Sequence, residues 1–344
     1  MADDKKLDKE KINFISIILL CRNEEKFIGK CLDSILAQDY PKDKMEALVV
    51  DGMSSDKTRE IVKEYAQKGN TVNLIDNHSF TAPAGMNVGI KEAKGQAVVI
   101  MGAHAIYAKD YVSKCVKYLN QYNADAVGGL MQTLSGSKTL KAKAIALALS
   151  SSFGVGNSYF RTGVKEPKLV DTVPFGCYRK EVFDKIGNFN KNLTRNHDIE
   201  FNLRLKKAGG KILLVPDIKS YYYARATFRE LFRNNFQNGF WVIYSTKFAK
   251  LPFSLRHLVP FIFVSSLFIS LILSLLSFEF LYLFSLIFGL YLLFNFTVSL
   301  MIAIKNGLGY FPFLLISFLT LHFSYGLGSI WGIVRLILIE RRKI

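Results

Sequence analysis

Two long apolar runs limit what this chain can fold into more than any other feature. Between Pro260 and Ala303 the one charged residue is Glu279, and between Asn306 and Val334 there is none. Each run matches or exceeds the roughly 20 apolar residues a helix needs to cross the hydrocarbon of a bilayer. Interruptions at Ser277–Phe280 and Lys305–Gly309 predict spans at 257–277, 280–303 and 310–334. The last run holds Gly326, Gly328 and Gly332, so a break into a fourth, re-entrant segment stays open. We expect residues 251–344 to form a transmembrane region of three or four segments. Residues 1–250 should form a separate charged body, with the boundary near Phe253–Leu258. A body anchored in this way is expected to act on something lipid-borne or to serve a membrane assembly.

Charge narrows the partners. Of the formal +17, residues 256–344 carry +4, which leaves +13 on the remainder. A basic body suits nucleic acid, anionic lipid or sugar phosphates. The sequence has no zinc finger, helix–turn–helix or single-strand platform, so no nucleic-acid partner is expected, and the apolar runs favour membrane lipids and phosphates. Cys21, Cys31, Cys115 and Cys177 stand far apart without metal-pair spacing and read as buried, reduced thiols. The polar start, followed by a short apolar run flanked by charge, does not read as a signal peptide. The expectation is an integral cell-membrane protein whose body faces the cytoplasm.

Within that body, apolar runs of strand length alternate with helical spacing. Strands are predicted at Phe14–Leu20, Ala47–Val50, Thr71–Ile75 and Gln96–Met101, and helices at Glu24–Leu36, Ser55–Gln67 and Ala84–Ala93. This alternation predicts an α/β fold with a mostly parallel, Rossmann-like sheet. Ligands of such sheets lie beyond the C-terminal strand ends, which here are Cys21–Glu24, Asp51–Asp56 and Gly102–His104. Further on, a strand is predicted at Ala124–Gly129 and another at Lys211–Val215, with helices at Leu140–Leu149, Leu193–Ala208 and Phe228–Phe248. Helix Leu140–Leu149 reads equally as packed or as lying on a membrane surface. Arg225, Arg229 and Arg233 recur every fourth residue, as a solvated face or a basic stripe toward headgroups or a diphosphate.

Three stretches carry chemistry. In Asp51-Gly-Met-Ser-Ser-Asp56-Lys-Thr58, a carboxylate at a strand end could bond a ribose or a base edge, and the hydroxyl residues could simply cap the next helix. The loop from Phe80 to Gly89, with Gly85 and Asn87, allows close backbone approach or merely starts a helix. Arg195-Asn-His197-Asp198-Ile-Glu200 sets two acids and a histidine at a helix start, where they favour the helix dipole or supply a general base.

Taken in order, Cys21-Arg22-Asn23-Glu24-Glu25, Asp51-Gly-Met-Ser-Ser-Asp56, Gly102-Ala103-His104 and Asn196-His197-Asp198-Ile-Glu200 resemble family 2 glycosyltransferases of the GT-A nucleotide-diphospho-sugar transferase fold. Phe153-Gly-Val-Gly-Asn157 and Phe175-Gly-Cys-Tyr-Arg179 look most like membrane-associated enzymes of exopolysaccharide assembly, the succinoglycan type among them. The resemblance runs from about Phe14 to Trp241. It implies a nucleotide-diphospho-sugar donor, bound by Arg22, Asn23, Glu24 and Asp51, with Gly102 and Ala103 beside it and Asn87 near the ribose or sugar. It implies Asp198 as the base for the acceptor hydroxyl, with His197 and Glu200 as its catalytic neighbours. It also implies a divalent cation, Mn²⁺ or Mg²⁺, at His104.

Departures from the pattern shape these expectations. The second acid that many members carry after the counterpart of Asp51 is Gly52 here, and the Asp-x-Asp position reads Gly102-Ala103-His104. An imidazole nitrogen can still ligate manganese. Gln237-Asn-Gly-Phe-Trp241 lacks the Arg of a processive acceptor motif. The resemblance therefore implies an inverting transferase that moves one sugar to a polyprenyl-diphosphate-linked saccharide in surface polysaccharide or glycan assembly. The alternatives are a polyprenyl-phosphate glycosyltransferase and a catalytically weak membrane scaffold.

Overall fold

The computed structural model describes residues 9–69, 71–248 and 255–341. Of the polar start, which reads as a solvated leader over residues 1–11, residues 1–8 lie outside the described residues, as do the first residues of the Phe253–Leu258 boundary and the tail from 342.

Strands Ile15–Cys21 (β1), Met45–Asp51 (β2), Val72–Asp76 (β3) and Ala97–Gly102 (β4) pair in parallel, in the order β3-β2-β1-β4. Their near-continuous Ile, Leu and Val runs suit a sheet buried on both faces, and every residue of β2 is buried. Helices Ile28–Leu36, Thr58–Gln67 and Ala82–Glu92 form the crossovers. Register sets the site: Cys21 lies opposite Asp51, Asp51 opposite Asp76, and Leu20 opposite Gly102. The loops after β1, β2, β3 and β4 therefore open on the same edge of the sheet.

The remaining strands are Ala105–Tyr107 (β5), Ala126–Leu134 (β6), Lys168–Leu169 (β7), Cys177–Arg179 (β8) and Ile212–Tyr223 (β9). β8 runs antiparallel to β4 and β6, while β5 and β7 run antiparallel to β9. The α/β class stands, but the sheet is mixed and its parallel part is β1–β4. β7 and β8 are two and three residues long, too short for an apolar run to announce them. The helix expected from Leu193 begins at His197, because Asn196 sits in the left-handed region at φ 60°.

The chain packs as two compact units that part elsewhere than near residue 250. One holds the chain up to Gln132 with Gly163–Tyr222; the other holds Thr133–Thr162 with the chain from Tyr223. In the second unit, helix Leu140–Leu149 buries Ala142, Ala144, Ile145 and Ala148. Ile145 and Ala148 share a cluster with Leu231, Leu314, Phe318 and Leu321, so this helix is packed. Helix Phe228–Tyr244 starts with a capping box between Thr227 and Glu230 and leaves Arg229 and Arg233 exposed. The apolar helices are Leu255–Leu273, Glu279–Asn306 and Phe311–Arg341. Two stretches, Glu279–Asn306 and Leu308–Leu338, are long and apolar enough to cross a membrane, whereas His257–Leu273 is shorter.

Helix Phe311–Arg341 is continuous, so the last run does not break into a fourth segment. Its glycines serve packing instead. A Cβ on Gly328 would come 2.0 Å from the Phe236 carbonyl oxygen, and one on Gly239 would come 2.0 Å from that of Tyr325. Small residues let two helix backbones touch here, as they do where helices associate in lipid. Ser329 Oγ closes the contact by donating to Gly239 O at 3.2 Å. Gly239, at the centre of the Gln237–Trp241 stretch, is thus spent on helix packing.

Candidate functional site

The loops after β1 and β2 hold each other through side chains. Ser54 Oγ accepts from Asn23 N at 2.8 Å, and Asn23 Oδ1 accepts from Ser55 N at 2.9 Å. Thr58 Oγ1 accepts from Glu24 N at 2.7 Å, and Asp56 accepts from Glu25 N at 3.2 Å and Thr58 N at 3.0 Å. The hydroxyl residues after Asp51 therefore brace the 22–25 loop. Helix Thr58–Gln67 itself carries no side-chain cap at Lys57. Asn23 and Met53 both stand at positive φ, a cost near 1 kcal/mol or more each for non-glycine residues that this mesh offsets. Gly52 is buried with the Arg22 side chain laid on it: a Cβ there would meet Arg22 Cδ at 3.2 Å and Cβ at 3.3 Å. The lost second acid has thus been replaced by room for an arginine, whose guanidinium lies 5.0 Å over the exposed Phe80 ring.

Asp51 points inward, with a side-chain exposure of 0%. Its Oδ2 accepts from Arg59 Nη1 at 2.7 Å and Ser54 N at 2.9 Å, and its Oδ1 accepts from Ser54 Oγ and from Cys21 Sγ at 3.6 Å. Burial alone would raise its pKa, but the hydrogen bonds from Ser54 and Arg59 outweigh that and hold it below the usual carboxylate value. Arg59 also donates to Asp76 Oδ1 at 2.8 Å, tying β2 to β3. Burial, then the Asp51 charge, push the Cys21 thiol well up, and burial pushes Cys31 to about 12. Both thiols are free and buried, as the sequence predicts.

His104 meets this cluster from the β4 side. Its Nδ1 lies 2.9 Å from Glu24 Oε1, and its ring sits 4.5 Å from that of Phe27. A carboxylate on one ring nitrogen fixes the tautomer and leaves Nε2 as a lone-pair donor, the arrangement metal-binding histidines use. Among the described residues no three His, Cys, Asp or Glu side chains gather as a metal cage. Gly102 is held by the buried Tyr107 hydroxyl, which accepts from Gly102 N at 2.8 Å and bonds Gly102 O at 3.2 Å. Ala103 is buried.

The second acidic locus is the start of helix His197–Lys207. Glu200 is buried and paired with Arg204 at 2.6 and 3.0 Å. Arg204 in turn donates to the carbonyls of Ile186 and, at 2.8 Å, Asn188. Burial holds His197 below the ordinary histidine pKa, with Asp198 pulling the other way. Asp198 stands exposed in the first turn. Asn87 exchanges two hydrogen bonds with the Phe189 backbone, at 2.8 and 3.0 Å, and the Phe189 ring lies 6.2 Å from that of His197. Asn87 thus braces the loop that leads to Asp198.

Of the predicted residues, the fold gathers Arg22, Asn23, Glu24, Asp51 and His104 at one sheet edge. It sets His197, Asp198 and Glu200 on one helix start, with Asn87 tied to the loop before it. Sequence reasoning passed over Arg59, Tyr107 and Arg204. Only Arg204 carried a legible signal, its i,i+4 spacing from Glu200.

Residues 16–187 match the sequence profile of the family described as "Glycosyl transferase family 2". A Methanococcus voltae protein named dolichyl N-acetyl-alpha-D-glucosaminyl phosphate 3-beta-D-2,3-diacetamido-2,3-dideoxy-beta-D-glucuronosyltransferase is 32% identical over 66% of this chain and 72% of its own length. The succinoglycan biosynthesis protein ExoA of Rhizobium meliloti is 30% identical over 65% of this chain and 67% of its own. Among solved structures, the mannosyltransferase PcManGT of Pyrobaculum calidifontis, in complex with GDP-Man and Mn²⁺, aligns with a TM-score of 0.59 over 94% of this chain and 88% of that one. At 16% identity that last likeness concerns the fold alone.

Proposed function

Because the chain belongs to glycosyl transferase family 2, we propose that this glycosyltransferase moves one sugar, with inversion, from a nucleotide-diphospho-sugar to a polyprenyl-diphosphate-linked saccharide, with Asp198 as the base. The observation that carries the base assignment is the contrast at one helix start. Glu200 is spent on Arg204, His197 is half-buried with its Nδ1 enclosed, and Asp198 alone of the three presents an exposed side chain. A sugar hydroxyl attacks well once a carboxylate within hydrogen-bond reach takes its proton, and an exposed aspartate suits that role. The lipid-linked acceptor is supported by the dolichyl phosphate in the name of the Methanococcus voltae relative and by the two apolar helices long enough to span a bilayer. The same helices support an integral membrane protein, and we place the sheet-bearing unit on the cytoplasmic side, where nucleotide-sugars are made.

The donor is assigned to the sheet edge. Arg22 and Phe80 offer an exposed cation and an aromatic face, while Asp51 acts by holding Ser54 and Arg59 behind them. His104 and Glu24 fit a divalent cation that the protein holds weakly by itself. One neutral imidazole supplies no charge, so His104, steadied by Glu24, would hold such an ion only together with the anionic donor. When bound, such an ion neutralises charge on the departing diphosphate. The test is transfer by detergent-purified full-length protein from a panel of nucleotide-sugars, with extracted lipid-linked saccharide and polyprenyl phosphate as separate acceptors. Sugar transfer to the saccharide-bearing lipid is expected. Transfer to polyprenyl phosphate alone would move the acceptor assignment, and absence of both donor binding and transfer would remove the catalytic reading.

A further inference from the structure

The second unit contains a polar cavity that the proposed transfer does not use. It has a volume of about 280 Å³ and lies between the end of β6, helix Leu140–Leu149 and the turn joining the two longest apolar helices. Lys143, Thr133, Asn306 and Tyr310 are among its polar lining residues, and Leu134 and Leu147 are among the apolar ones.

Its charge is one-sided. No carboxylate lines it among the described residues. Ser135 and Ser150 already donate their hydroxyl protons to the carbonyls of Ser137 and Ala146. Thr133 Oγ1 accepts from Arg161 Nη1 at 2.9 Å, so its own proton is left to give. Asn306 uses one amide N–H on Ile302 O at 2.8 Å and keeps a second. No hydrogen bond among the described residues engages Lys143 Nζ or the Tyr310 hydroxyl. Acceptors remain on Asn306 Oδ1 and the hydroxyl oxygens, but the Lys143 ammonium is the one charged group in the lining and no carboxylate opposes it, so the matching ligand is an anion that accepts from Lys143, Tyr310, Thr133 and Asn306.

Position adds the second half. Asn306 and Tyr310 flank the turn at which both long apolar helices end, the level of the membrane–water boundary if they span. Beside it Leu140 and Leu308 are 47% and 67% exposed, and Leu140 packs 3.6 Å from where a Cβ on Gly309 would lie. The volume falls just under the roughly 300–1,000 Å³ of pockets that enclose a whole small ligand. That volume has room for a headgroup, with a chain left to run over the exposed leucines.

We propose that this cavity binds the phosphate of a membrane lipid, with Lys143 as the charge partner and Tyr310, Thr133 and Asn306 as neutral donors. The proposal rests on the membrane-spanning reading of the two helices, so alkaline carbonate extraction comes first. Release of the protein would overturn that reading, whereas retention leaves the site itself on trial. Binding is then measured on the full-length protein in uncharged detergent with four probes: farnesyl phosphate, short-chain phosphatidylglycerol, farnesol and inorganic phosphate. We expect one or both phospholipid-like probes to bind, farnesol and inorganic phosphate to bind at least tenfold more weakly, and the ranking of the first two to name the source of the phosphate. Lys143→Gln should weaken the favoured probe at least tenfold and Tyr310→Phe several-fold, with nucleotide-sugar binding unchanged in both. Farnesol binding as well as farnesyl phosphate would overturn the phosphate assignment, and inorganic phosphate matching the lipids would overturn the lipid. Equal binding by wild type and Lys143→Gln would remove the site.

Discussion

The end of β2 and the start of helix His197–Lys207 each offer an aspartate, and the fold treats the two in opposite ways. Asp51 is sealed inside, with both oxygens occupied and Arg59 against it. Asp198 is left at the surface, while the neighbouring acid, Glu200, is the one locked into an ion pair. The residue type is the same, so the environment assigns the work. A carboxylate saturated by fixed donors is a poor proton acceptor and a good strut; one with open faces in the first turn of a helix can take a proton from a substrate.

The largest effect that would break this contrast is at Asp198. Asp198→Asn should lower turnover by about 10²- to 10⁴-fold, with nucleotide-sugar affinity and melting midpoint both near wild type. Steady-state transfer and donor titration on the same preparation measure the two halves. Turnover within a few-fold of wild type would show that the exposed carboxylate is not the base.

Asp51 should behave in the reverse manner. Asp51→Ala leaves Arg59 and two Ser54 donors without their partner, a loss of about 3 kcal/mol in stability at pH 7. The pH dependence has a definite sign. Because the folded pKa lies below the unfolded value of about 3.9, the carboxylate's contribution is complete above that value and is lost as pH falls through the folded pKa. Thermal unfolding of wild type and variant should therefore converge in acid. A gap that persists undiminished to pH 2 would mean that packing, not charge, holds the end of β2.

Glu24 tests the contrast at its third carboxylate, which serves neither as strut nor as base. Its contact with His104 Nδ1 predicts that Glu24→Gln weakens Mn²⁺ bound together with a nucleoside diphosphate by about 10- to 100-fold, read by electron paramagnetic resonance. Metal binding equal to wild type would leave the pair a packing contact beside Phe27.

How far these roles could be read in the chain differs by region. The parallel strands were legible because each is a continuous apolar run that ends at polar residues, and their registers put Cys21, Asp51 and Gly102 where a strand-end site belongs. The short antiparallel strands β5, β7 and β8 were not, since two or three residues carry no period. The sequence offered Asp51 as a contact to the nucleotide and set Asp198 and Glu200 side by side at one helix start. Only the fold brings Arg59 back onto Asp51 and Arg204 onto Glu200, which separates strut from base. In the apolar unit, Gly326, Gly328 and Gly332 suggested a break because a glycine that bends a helix and one that admits a neighbouring backbone leave the same mark in a sequence. The partner is what decides, and Gly328 has Phe236 O beside it.

The smallest expected effect lies between the two loci, at Asn87. Its side chain donates to Phe189 O and accepts from Phe189 N, which fixes the loop eight residues before His197 without touching either aspartate. Asn87→Ala should cost about 1 kcal/mol of stability, the net worth of such hydrogen bonds. Its kinetic signature is more telling. A loosened brace displaces Asp198 in the ground state and the transition state alike, so kcat should fall several-fold while donor affinity holds. Asn87→Asp sets a carboxylate oxygen against Phe189 O where the amide donated, so it should be no milder than Ala in either readout. If Asn87→Ala instead weakens donor binding tenfold or more and leaves kcat intact, the side chain faces the nucleotide-sugar, as the family resemblance implies. The strand-end cluster would then extend to this helix, and the division between a donor edge and a base-bearing helix would have to be redrawn.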